Sequence, residues 1–174
     1  NILTIGTGMA EHNAYALDFI KATCQIKMQC PYVKISGGVS NLSFGFRGVN
    51  NVREAIHSVF LYHATMNGPM VDGYFPWGMD MGIVNSEKME VMVDLPKDLH
   101  KLCFDVVMNK QGESGSDATE AMLERCQLER EWKDQRKEMK KNIPPPVHKG
   151  RTGGIIHEKT LRDVPEKPEE LPFF

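Results

Sequence analysis

Asn41, Arg47 and Arg53 are the side chains of this 174-residue chain best suited to hold a ligand, and they fall within thirteen positions of one another. An amide both donates and accepts, so an asparagine can follow a partner whose protonation changes. A guanidinium stacks on a flat ring or pairs with a carboxylate. By residue type alone each has a plainer role: Asn41 as a turn or cap, Arg47 as a loop charge, Arg53 as a solvated helix residue. His57 and His63 are six apart, a poor spacing for two metal ligands on one helix, and packing explains them better. Asp80 and Asp94 are candidate paired carboxylates that nothing in the sequence brings together. Gly6 and Gly8 lack both the third glycine and the Lys-Ser/Thr ending of a phosphate loop. Cys24, Cys30, Cys103 and Cys126 match no zinc spacing and read as buried, reduced thiols of an intracellular protein.

The elements that must position these residues alternate. Ile2–Ile5 reads as a buried strand entering a glycine loop, and residues 11–27 as a helix with Ala14, Leu17, Ile20 and Cys24 on its apolar side. Residues 32–36 read as a second strand, residues 51–66 as a helix with Val52, Ala55, Ile56, Val59, Phe60 and His63 on one stripe, and residues 79–84 as a third strand. Strand, helix, strand, helix, strand is the order of a parallel α/β fold, whose ligands sit just beyond the strand ends. Helices are also expected over 97–110 and 117–141, with a break at 111–116.

Composition narrows the classes. A net charge of −2 and a pI near 6.3 give no electrostatic reason to expect nucleic acid. No apolar run reaches the roughly 20 residues of a membrane span. The pattern changes near Gln127: residues 128–141 are nearly all charged, and after Pro144-Pro145-Pro146 basic, proline and acidic residues alternate. Such a segment buries too little surface to order itself and is expected to be extended against a partner. The expected organisation is an α/β domain over 1–126 and a charged helix with an anchoring tail over 127–174.

The run from Lys34 to Gly48, with Asn1–Gly8, Arg53–His57, Val59–His63 and Met79–Asn85, resembles the pterin domain of cobalamin-dependent methionine synthases, over about residues 1–126. That resemblance implies the last third of a TIM-type (β/α) barrel, about three βα units, that binds 5-methyltetrahydrofolate. Cobalamin, the methyl acceptor, is implied only through a domain carried elsewhere. It also implies that Asn41 reaches the pterin near N5 as the catalytic and binding amide. Arg47 and Arg53 match further folate-contacting positions, and Gly37 and Gly38 would let backbone approach the ligand.

Three departures shape the functional expectation. A complete barrel needs eight βα units and roughly 250 residues. The missing units, including an acidic pterin ligand, are expected upstream of Asn1, on another chain, or lost. The stretch from Pro69 to Trp77, rich in aromatics and proline, reads as an added contact loop. The segment after Gln127 does not resemble the family's linker. Two functions therefore stand: a piece of a methyltransferase, not catalytic alone, or a non-catalytic structural subunit of a large assembly. In either case other protein chains are expected to cover the open strand edge and the tail, in the cytoplasm or in an organellar assembly.

Overall fold

The computed structural model describes residues 2–68, 77–110 and 117–141. The chain divides into two units, Asn1–Cys126 and Gln127–Phe174. The expected loop over 69–76, the break at 111–116 and the tail over 142–174 lie outside the described residues.

In the first unit, a 3-10 turn at Ala10–His12 leads into α1, Tyr15–Gln29. The buried side of α1 is Ala16, Ile20, Thr23 and Lys27, at steps of four, three and four. This differs from the stripe expected from apolarity, because two polar residues face inward with their needs met. Thr23 Oγ1 donates to Phe19 O at 2.9 Å, and Lys27 Nζ lies 2.6 Å from Asp80 Oδ2. Pro31 follows Cys30, which leaves helical geometry at φ −130°, ψ 75°, as a residue before proline tends to do.

β1, Ser36–Gly38, pairs in parallel with β2, Met81–Ile83, in the register Ser36 with Met81 and Gly38 with Ile83. Between them runs α2, Asn50–Thr65, completing a βαβ unit. Val52, Ala55, Ile56, Val59, Phe60 and Ala64 of α2 are buried. α2 packs against α1 and against α3, Lys97–Val107, which contributes Leu99, Cys103, Val106 and Val107 to the same core. α4, Ala118–Lys141, begins in this unit, adding Ala118, Met122 and Cys126.

Two expected strands are corrected. Ile2–Ile5 is fully buried at both isoleucines but forms no ladder. Its backbone meets a loop instead: Ile5 N–H donates to Leu42 O at 2.9 Å and Asn41 Nδ2 to Ile2 O at 2.9 Å. Residues 32–36 contribute only Ser36 to a strand. Val33 N–H turns back to Cys30 O, and the Asp80 carboxylate, not a neighbouring strand, takes the Ile35 N–H at 2.8 Å. The described sheet is thus two-stranded, an α/β arrangement compatible with a fragment of a barrel.

Asp80, directly before β2, is an anchor for the start of this sheet. It pairs with Lys27 at the end of α1 and, at 3.2 Å, with Lys34. Burial alone would raise its pKa, but hydrogen bonds from Lys27, Ile35 N–H and Lys34 outweigh that and hold it at about 2. Asp80 is therefore a structural anion paired with lysines.

The described part of the second unit, residues 127–141, is helical. Short-range pairs hold it: Gln127 Nε2 donates to Glu131 Oε1 at 3.0 Å, Lys137 pairs with Asp134 at 2.9 Å, and Arg136 stands 5.3 Å over the Trp132 ring.

Candidate ligand cleft at the strand ends

Because β1 and β2 are parallel, their C-terminal ends open on the same side. There Ser40 and Asn85 meet the first turns of α2, and a cleft of about 170 Å³ is lined by Ser40, Asn50, Arg53, Glu54, His57 and Asn85. Open α/β sheets place ligands at this end of their strands.

The loop from β1 to α2 is fixed by its apolar residues. Val39, Leu42, Phe46 and Val49 are fully buried, and turn bonds run from Leu42 N–H to Val39 O and from Phe44 N–H to Asn41 O. Phe46 lies over Gly6, whose φ of +69° and crowded Cβ position both demand glycine. The loop thereby carries Ser43 into the interior with no exposed surface.

Arg53 and His57 lie one helical turn apart on α2, and both reach Ser43. Arg53 Nε donates to Ser43 Oγ at 3.0 Å, and Arg53 Nη2 donates to Ser40 O at 3.2 Å. His57 Nε2 is 2.7 Å from the same Oγ. Burial first, and the Arg53 charge second, lower the His57 pKa to about 4, so the ring is neutral near pH 7. Since a guanidinium only donates, Ser43 Oγ accepts from Arg53 and is placed to donate its own proton to His57 Nε2, an arrangement in which the ring hydrogen sits on Nδ1. Ser43 Oγ itself has no exposed surface.

The three residues singled out in the sequence take different places. Arg53 lines the cleft. Asn41 is exposed beside lining Ser40, with its Nδ2 tied to Ile2 O. Arg47 does not line the cleft; its guanidinium stacks 3.7 Å from the centroid of the half-exposed Phe44 ring. At Gly37 a Cβ would meet Met79 Sδ at 2.8 Å and Ile2 at 3.0 Å, so core packing by itself calls for glycine there. Asn85 Oδ1 accepts from Glu87 N–H at 3.3 Å, holding the turn after β2.

Sequence reasoning missed Ser43, Asn50 and Glu54 and read His57 as packing only. The usable signal was the four-residue spacing of Arg53 and His57, which puts both on one helix face. The cysteines are also corrected in part: Cys103 and Cys126 are buried, but Cys24 is half-buried and Cys30 exposed. Burial pushes the Cys103 thiol well up, away from thiolate chemistry. Among the described residues no three His, Cys, Asp or Glu side chains are grouped to hold a metal, and no helix is long and apolar enough to cross a membrane.

The cleft therefore offers a fixed cation, a carboxylate and two amides around a polar opening, a set suited to a flat, polar heterocycle. All six lining residues fall within residues 1–85, and that stretch matches the family model described as pterin binding enzyme, which identifies it as similar to a pterin-binding enzyme-family domain.

Proposed function

We propose that the cleft and the Asn41–Arg47 loop are part of a binding site for the pterin of 5-methyltetrahydrofolate, related to the folate domain of cobalamin-dependent methionine synthases. The observation that carries this reading is Arg53, held by two hydrogen bonds at the mouth of a strand-end cleft inside the pterin-family match. The residues present fit the polar edge of such a ring. Arg53 donates, Glu54 accepts, and the amides of Asn50 and Asn85 can do either. Asn41 would address the N5 side, and Arg47 on Phe44 would offer a planar surface for stacking.

When bound, 5-methyltetrahydrofolate supplies a methyl group. This chain's own contribution is to orient the ring. Cobalamin enters only as an acceptor on a separate domain, and no cleft residue is assigned to it. The described βαβ unit encloses a ligand from one side, and methyl transfer needs a preorganised shell, which supports a binding rather than a catalytic role for this unit by itself.

Titration of 5-methyltetrahydrofolate into the full chain, followed by calorimetry, tests the reading. Micromolar binding that weakens on Arg53→Gln supports it; absence of saturable binding to 1 mM ligand overturns it.

A second reading has its own observation. Met81 and Ile83 on β2 are 56% and 69% exposed, leaving apolar side chains on a short two-stranded sheet. A non-catalytic structural subunit, with other protein chains against that strand, would account for them.

A further inference from the structure

We infer that Ser43 and His57 are positioning residues that hold the Arg53 guanidinium in the orientation the cleft requires. The inference rests on the pterin reading for the identity of the ligand, but not for its own geometry. Arg53 begins as a long, rotamer-rich side chain on the first turn of α2. Two bonds to different nitrogens fix its plane: Nε to Ser43 Oγ at 3.0 Å and Nη2 to Ser40 O at 3.2 Å. The Ser40 contact alone would leave the guanidinium free to pivot about one bond. The Ser43 contact removes that freedom.

Ser43 can serve only while its own proton has somewhere to go. Ser43 has no exposed surface, and His57 Nε2, 2.7 Å away, is placed to accept that proton. Donating to His57 makes the Ser43 oxygen a better acceptor for Arg53, because hydrogen bonds in a chain polarise one another. A neutral imidazole is needed for this, and burial together with Arg53 keeps it neutral. If His57 were replaced by an apolar residue, the buried hydroxyl would turn toward another acceptor and its grip on Arg53 would loosen.

The test is solvent exchange of the Arg53 Nε–H, read by nitrogen-15 NMR on the full chain without ligand. In the unaltered protein this proton should exchange slowly. Ser43→Ala and His57→Leu should each speed exchange by about tenfold, the loss of roughly one hydrogen bond to a charged group. His57→Gln, whose Oε1 can stand near the Nε2 position, should restore slow exchange. A merely structural role would not be rescued in this way. Backbone amide spectra confirm that α2 is intact in each variant, and Ser43→Ala, the smaller change, decides the matter if His57→Leu unfolds. Unchanged Arg53 exchange in folded Ser43→Ala overturns the inference. Failure of His57→Gln to restore slow exchange where His57→Leu has lost it overturns it too. If the protein binds no folate, the pterin reading fails while the exchange data still decide the role of Ser43 and His57.

Discussion

His57 is a buried base that folding keeps neutral, and acid should expose the cost. Its folded pKa, about 4, lies below its ordinary 6.5, so between those values the unfolded chain binds more protons than the native one. Its contribution is fully present above pH 6.5 and is lost as pH falls through about 4. The loss is on the order of 3 kcal/mol. Urea midpoints measured from pH 7 to pH 4 should fall across that window, and His57→Gln should flatten the slope. Asp80 acts lower: held at about 2 against 3.8, it contributes above pH 3.8 and loses that contribution as pH drops toward 2. For the ligand, Asn41→Ala should weaken 5-methyltetrahydrofolate binding about tenfold in calorimetry, as expected for one lost hydrogen bond to a polar ring. Indifference would remove Asn41 from the proposed role.

The helices and strands depend on two kinds of tie. One is the ion pair that joins the end of α1 to the start of β2. Asp80→Asn leaves Lys27, only 6% exposed, without its anion. We expect a loss of roughly 2–3 kcal/mol in denaturant unfolding, below the figure for a fully buried pair because Asp80 is 20% exposed. Lys27→Met combined with Asp80→Asn should recover part of it, since no unpaired charge then remains inside. The other tie is close packing behind β1. Gly37→Ala drives a methyl against Met79, Ile2 and Phe19, and thermal unfolding should show a loss of about 1–3 kcal/mol, typical of overpacking. The stripe on α1 shows why such ties escape periodicity. Lys27 and Thr23 count as outward positions in any hydrophobic pattern, yet both face inward because each finds a partner.

Taken as two units, the described residues have an apolar core within 1–126 and a charged helix over 127–141 with ion pairs and hydrogen bonds along its own length. Exposed Met81 and Ile83 predict association through β2. Met81→Lys with Ile83→Lys should shift concentration-dependent light scattering toward the smallest species while leaving the melting temperature nearly unchanged. If scattering is the same for both proteins, β2 is not a contact strand.

Much was legible in the order of residues. The helices at Tyr15–Gln29, Asn50–Thr65 and Lys97–Val107 lie close to where periodicity puts them, because a helix is closed by bonds within itself. The strands were less so. Ile2–Ile5 has the apolarity of a strand and is buried like one, but a strand exists only when another lies alongside, and here the neighbour is the Asn41–Leu42 loop. The resemblance carried by residues 34–48 and 53–57 singles out Arg53 from the sequence. It did not reveal that Ser43 and His57 stand behind that arginine, or that Arg47 turns to Phe44 instead. A residue's type states which bonds it is able to make. Which of them it makes depends on what the folded chain brings within about 3 Å of it, and only the tertiary structure decides that.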